Sequence, residues 1–398
     1  MKINAVETLR IPPYENLLYV LIETDEGVTG LGEAVKAPVA VEAYVHEWCA
    51  PRIVGRDPLR IPEIRAVLDG YLGWGAAGVE TRAISAIDIA LWDLFGKVHG
   101  RPVADMLGGR ARDDIRTYNT CAGSGYMRRA IGQNSRNFAL DAAGDHEDLD
   151  AFLNRADELA HSLLEEGITG MKIWPFDMAA ERSGGYDITA QELKAALEPF
   201  EKIRRAVGER MDIMVEFHSL WSLPMAKRLA RHLAEYETYW HEDPFRLDTP
   251  ADLADYAPHS EAWVCASETL CSIHLFRQAL ETGAVGVAMF DLAWCGGFTD
   301  ARKIAALAEA WKVPVAPHDC TGPVGFAAGS QFVMHAPNAL IMESVRAFYK
   351  GWYQDLVTGG PIVKDGRISL TDAPGLGVEL LPDVRGREGV VVRRTTAA

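Results

Sequence analysis

Three glutamates, Glu216, Glu242 and Glu268, each follow a short apolar run and recur roughly every 25 residues, the length of one strand-plus-helix unit of a parallel α/β barrel. The runs are Ile213-Met214-Val215, Tyr239-Trp240 and Trp263-Val264-Cys265-Ala266. The same register continues to Asp291 behind Val287-Ala288-Met289-Phe290 and to His318 behind Val313-Pro314-Val315-Ala316-Pro317. All strands of such a barrel run one way, so this rhythm puts five polar residues on one rim. A lone strand-end glutamate is commonly a solvated or ion-paired group, but three in one register weigh against that reading. Three inward carboxylates repel one another unless a cation joins them, and an all-oxygen set with room for water suits Mg²⁺ better than Zn²⁺.

The chain has 398 residues, enough for two domains or for a barrel with a cap. Its formal charge of −16 argues against nucleic acid or an anionic membrane surface as partner. An anionic small molecule would need local positive charge, which a metal supplies. Cys49, Cys121, Cys265, Cys271, Cys295 and Cys320 form no CxxC pair and no disulfide-dense spacing, as expected in a reduced compartment. No leader-like start and no apolar run of about 18 residues is present, so the expectation is a soluble, cytoplasmic protein.

Residues 1–110 read as an α+β capping domain. Leu17–Thr24, the turn Asp25-Glu26-Gly27 and Val28–Glu33 form a hairpin pattern, and a helical period follows through Ala83, Ile84, Ile87, Ala90, Leu91 and Leu94. Gly108-Gly109 marks the boundary. Residues 111–345 read as the barrel, with a first strand at Ile115–Thr120 and a second at Gly170–Phe176, joined through an amphipathic helix near Leu149–Glu166. The stretch from Ser124 to Asp145 exceeds a usual barrel connection and is either a functional lid or a partly ordered insertion. Residues 346–398, with a hairpin over Gly360–Ile368, read as a segment returning to the cap.

Several words along the chain resemble the mandelate racemase subgroup of the enolase superfamily. They are Ala86-Ile87-Asp88-Ile89-Ala90-Leu91-Trp92-Asp93-Leu94, Glu242-Asp243-Pro244, Ser267-Glu268-Thr269, Gly296-Gly297, Pro317-His318 and Pro374-Gly375-Leu376-Gly377. Each is weak alone, and together they span nearly the whole chain. The resemblance implies a modified (β/α)7β TIM-like barrel under an α+β cap and an assembly of several copies. It further implies Mg²⁺ held by Glu216, Glu242 and Glu268, with His318 as a base oriented by Asp291, and with Glu343 hydrogen-bonding an enolate oxygen.

Two departures matter. Many members carry Lys-x-Lys at the second strand, whereas this chain has Lys172-Ile173-Trp174 and so lacks the second lysine. It instead has Glu216-Phe217-His218, and strand alternation would turn His218 toward the pocket. That pattern resembles the acid-sugar dehydratases of the subgroup, of the galactonate and mannonate dehydratase type. The implied activity is a Mg²⁺-dependent dehydration of a hexonate or pentonate to a 2-keto-3-deoxy acid through an enediolate. His318 would take the C2 proton, His218 would protonate the departing C3 hydroxyl, and Glu343, if protonated, would donate to the substrate carboxylate. Lys172 would either neutralise that carboxylate or pair with a ligand carboxylate, and Trp174 and Trp74 would wall the pocket. A second-shell place for His218 stays open, His241 should point away, and a racemase, epimerase or cycloisomerase is the alternative activity. A non-catalytic sugar-acid binder is the remaining reading.

Overall fold

A computed structural model describes residues 1–70, 78–126 and 146–397. Trp74 and most of the Ser124–Asp145 stretch lie outside the described residues. The first sheet runs β1 (Ile3–Arg10), β2 (Leu17–Thr24) and β3 (Thr29–Val35), all antiparallel. A 21-residue helix, Val79–His99, lies across this sheet. Its approach is close because a Cβ on Gly32 would sit 1.9 Å from the Ala86 carbonyl oxygen, and one on Gly30 would sit 2.0 Å from that of Ala90.

Seven strands follow: β4 (Asp114–Thr120), β5 (Gly170–Ile173), β6 (Asp212–Glu216), β7 (Trp240–Glu242), β8 (Trp263–Ala266), β9 (Val287–Ala288) and β10 (Met342–Ser344). β4 to β9 pair in parallel with their chain neighbours, and β10 pairs back onto β4. The seventh staves of the ring is reduced to Val315, which bridges Ala288 on one side and Ala339 on the other. The result is the expected barrel with a cap. The amphipathic stretch before β5 is two helices, Asp148–Asn154 and Ala156–Glu165, that break at Arg155.

After the barrel come β11 (Val357–Gly359), β12 (Ile362–Lys364), β13 (Arg367–Ser369), β14 (Val378–Leu380) and β15 (Val391–Thr396). This segment is shared between the two halves. The β12–β13 hairpin joins the barrel sheet at β4, whereas β15 completes the cap sheet beside β1. Among the described residues no helix is long and apolar enough to cross a membrane. All six cysteines are free and buried.

The family-like words outside the rim join cap to barrel. Asp88 accepts from the backbone N–H and hydroxyl of Thr299, and Ser85 accepts from the Gly296 N–H at 2.9 Å. Asp93 accepts from the N–H groups of Leu31 and Leu376, each at 2.8 Å, and ion-pairs with Lys97. Glu33 reaches from β3 to the start of the helix Pro323–His335 and accepts from the N–H groups of Gly322, Val324 and Gly325. Those donors are the unsatisfied first turn of a helix, which favours a carboxylate.

Candidate active site at the barrel mouth

The barrel interior is plugged by Tyr118, Met214, Trp240, Cys265, Val287, Met289, Ala316 and Ile341. Side chains on a strand return to the same face every second residue. Two residues beyond plug positions therefore come Thr120, Glu216, Glu242, Asp291, His318 and Glu343. Lys172 follows Gly170 in the same way, and Gly170 faces inward, since a Cβ there would lie 3.0 Å from both Met214 and Tyr118. Glu268 breaks the rule: it lies three residues after Cys265, past the end of β8 at Ala266, and still reaches the cavity.

Glu216 and Glu242 are direct partners in the β6–β7 register. Lys172 is buried among the carboxylates, with Nζ 2.6 Å from Glu242, 2.9 Å from Glu343 and 3.5 Å from Glu216. The Trp240 indole donates to the other Glu242 oxygen at 3.1 Å. Burial raises the Glu216 carboxyl to about 7 despite Lys172, and burial with the Glu216 charge raises that of Glu242 well above the usual range. Asp243, beside them, is also fully buried and raised, and among the described residues neither of its carboxylate oxygens has a hydrogen bond of good geometry.

His318 is buried and held at both nitrogens. Nδ1 lies 2.8 Å from Asp291 and Nε2 lies 2.5 Å from Glu268. Asp291 is fixed in turn as the N-cap of the short helix Leu292–Cys295, accepting from the Ala293 N–H at 2.6 Å. Burial opposes charge on the imidazole, but Glu268, Glu343 and Asp291 outweigh it and hold the His318 pKa well above its ordinary value. Burial likewise opposes charge on Glu268, and His318 outweighs it, keeping that carboxylate ionised.

His218 also faces the cavity, but not by strand alternation. β6 ends at Glu216, and the chain then turns through left-handed backbone at His218 (φ +49°) and Ser219 (φ +57°). The His218 N–H donates to Glu216 at 2.5 Å, which fixes the turn on the metal-candidate residue itself. Its Nδ1 lies 2.7 Å from the buried Asp177, so the site contains a second imidazole–carboxylate pair. Asp177 was not anticipated; its signal is the Trp174-Pro175-Phe176-Asp177 run just beyond β5. Trp174 walls this side, 5.6 Å from the His218 ring in edge contact. His241 points away, bound to Thr238 and Tyr256, and burial lowers its pKa to about 3.

At Glu343 burial favours the neutral acid, but Lys172 and His318 outweigh it and hold the carboxyl below its ordinary value, which weighs against the protonated donor that the sequence reading allowed for. Glu343 accepts from Thr120, Lys172 and the Asp319 N–H. Lys172, fully occupied by carboxylates, takes the ion-pairing role rather than that of a free counter-charge.

The donor chemistry at this mouth fits a hard dication: buried all-oxygen ligands, two of them raised by burial, and a further buried carboxylate next to them. In the arrangement described, Lys172 and His318 draw the carboxylates to themselves, and no three acidic, histidine or cysteine side chains among the described residues converge as a ligand set. Glu216, Glu242 and Glu268 share the cavity region without sharing a focus.

Residues 11–108 match the mandelate racemase / muconate lactonizing enzyme N-terminal domain, and residues 155–384 match the enolase C-terminal domain-like family. The chain belongs to the enolase superfamily, in its mandelate racemase branch. A mandelate racemase subgroup enolase from Agrobacterium tumefaciens is 51% identical, with a TM-score of 0.88 over 100% of this chain and 99% of its own. An enolase protein from Sargasso Sea environmental sequencing is 41% identical, also at TM-score 0.88 with 100% and 99% coverage. D-galactonate dehydratase of Ralstonia pickettii is 32% identical over 100% of this chain and 95% of its own length. That of Xanthomonas campestris is 33% identical over 97% and 94%.

Proposed function

We propose that the protein is a Mg²⁺-dependent hydro-lyase that dehydrates a sugar acid, a hexonate or pentonate, to a 2-keto-3-deoxy acid. The observation that carries this reading is the presence of two separate imidazole–carboxylate pairs, His318–Asp291 and His218–Asp177, on one acidic cavity. Removal of a C2 proton and departure of a C3 hydroxyl need one base and one acid at different places, and each pair supplies one. Relatives named D-galactonate dehydratase, matched over nearly their full length, support the same class.

Glu216, Glu242 and Glu268 are the residues that would hold Mg²⁺, with Asp243 at hand behind them. Bound there, the ion would supply fixed positive charge where the substrate carboxylate gains negative charge. His318 presents Nε2, now on Glu268, to the C2 proton, so substrate entry exchanges that contact for one to C2. Once the contact to Glu268 is given up, the carboxylate that holds a proton on Nε2 is gone and that proton is released, while Asp291 keeps the proton on Nδ1, so that Nε2 becomes the basic nitrogen. The C2–H bond breaks toward His318, the C3–O bond breaks as His218 delivers a proton, and water leaves. The remaining enol takes up a proton at C3 and releases the one on its C2 hydroxyl to give the ketone. Lys172 and Glu343 act as one buried ion pair that fixes the cavity floor. In this division of labour residues 111–345 carry the chemistry, and residues 1–110 with 346–398 shape the distal end of the pocket. Trp174 at the family's second-lysine position leaves the second face without a lysine base, which favours elimination over racemisation.

The test is His218→Asn with a susceptible acid in deuterated buffer. Keto-acid release falls about 10²–10⁴-fold, while His318 continues to exchange the C2 hydrogen. A folded variant that neither exchanges nor dehydrates would remove His218 from the acid role.

A further inference from the structure

Among the described residues, the cavity has one cationic side chain that the proposed chemistry does not use. Lys36, in the turn that follows β3, lines the cavity together with Trp294 and His318. Its placement is built in. Lys36 and Ala37 both adopt left-handed backbone (φ +65° and +52°), and the Lys36 N–H is tied to the Asn16 carbonyl at 3.0 Å. The ammonium lies 4.6 Å from the centroid of the Trp294 ring, and the Arg82 guanidinium lies 4.5 Å from the same centroid. Arg82 is anchored by a hydrogen bond to the Val35 carbonyl at 3.0 Å. Trp294 itself packs against the His318 ring at 5.0 Å.

Two features show that this corner is addressed to a ligand. Lys172, the cavity's other lysine, is neutralised by three carboxylates, whereas among the described residues none ion-pairs with Lys36. The indole N–H of Trp294, 4% exposed, also lacks an acceptor among the described residues. An ammonium held by an aromatic face and an unpartnered N–H on the same residue form a donor-only corner, which calls for an acceptor-rich anion.

Resting on the dehydratase reading but replacing its hexonate or pentonate by the corresponding diacid, we propose that Lys36 is a specificity-determining residue that binds a second carboxylate, at the end of the substrate remote from C1, so that the preferred substrates are sugar diacids rather than monoacids. The C1 carboxylate belongs at the acidic floor with the metal ligands. Lys36 comes from the cap and not from a barrel strand, which suits it to the other end of the molecule. Glu268 lies within electrostatic reach of Lys36 without pairing with it; a terminal hydroxymethyl group would leave the Lys36 ammonium without a direct ionic partner, whereas a terminal carboxylate supplies one.

The test uses acid pairs that differ only at the last carbon, galactarate with galactonate and glucarate with gluconate, on the Mg²⁺-supplied full-length protein. Wild type shows the higher kcat/KM for a diacid. Lys36→Gln lowers the diacid-to-monoacid ratio of kcat/KM about 10–100-fold, chiefly through KM. Lys36→Arg retains most of the preference. Turnover of monoacids with refusal of diacids would overturn the Lys36 assignment and leave the dehydratase reading standing, as would equal losses for both acids in Lys36→Gln. A loss as deep in Lys36→Arg as in Lys36→Gln would assign the effect to shape and also overturn it. If no acid of either kind reacts, the dehydratase reading falls. Calorimetric titration of the same pairs into wild type and Lys36→Gln then decides the corner: a diacid preference that depends on Lys36 upholds it, and none rejects it.

Discussion

The molecule buries carboxylates in two regions and satisfies them in different ways. At the joint between cap and barrel, Glu33, Asp88 and Asp93 accept from backbone N–H groups of Gly322, Val324, Gly325, Thr299, Leu31 and Leu376. At the barrel mouth, Glu216, Glu242, Glu268 and Glu343 rely mainly on the side-chain cations Lys172 and His318. A backbone donor has one position and cannot leave; an ammonium or imidazolium can be exchanged for another cation or for substrate. The joint's acids are fixed parts of the architecture, and those of the mouth are held ready for exchange.

Stripping divalent cations separates the two regions most widely. Turnover should fall more than about 10³-fold and return with Mg²⁺, while the thermal unfolding midpoint of the protein changes little by comparison. Turnover that persists after chelation would refute the metal assignment at the mouth. Asp93→Ala tests the joint. It leaves two buried N–H groups without an acceptor and weakens the hold on Lys97, so stability should drop by about 3 kcal/mol in denaturant unfolding. A loss below roughly 1 kcal/mol would show that the fixed donors are not what holds the joint.

The third test is one of pH. Burial raises the Glu33 carboxyl from 4.5 to about 8, its three N–H donors notwithstanding. Between those values the folded state binds a proton that the unfolded chain has released, so this group's contribution is greatest below about pH 4.5 and declines as pH rises toward 8. Glu33→Gln removes that slope, at most about 1.4 kcal/mol per pH unit. The comparison is the stability of wild type minus variant across the window; a difference that stays flat would mean Glu33 keeps an ordinary pKa in the folded protein.

The barrel and the rim were legible because they follow from two simple periods, one strand-plus-helix unit along the chain and two residues along a strand. Glu216, Glu242, Asp291, His318 and Glu343 all fall where those periods place them. His218 reaches the cavity for another reason, since a left-handed turn at a non-glycine residue leaves no periodic trace. Asp177 meets it from 41 positions away, a pairing that no local pattern encodes. The hydrogen-bond partners of Glu343 left no trace in the sequence because they come from β4, β5 and the residues after Val315. Lys36 and Trp294 were unremarkable in the sequence, and only their shared corner gives them meaning. The β12–β13 hairpin was legible as a hairpin, but its attachment to β4 was not, since antiparallel edges carry no address for their partner.

The pairing of β1 with β15 has a consequence for biosynthesis. β1 precedes the barrel in the chain and acquires its outer neighbour only from residues 391–396, after the whole barrel has been translated. Until then its edge offers unpaired amides to any extended peptide nearby. The order of translation therefore leaves a strand made before the barrel open until one made after it closes its edge.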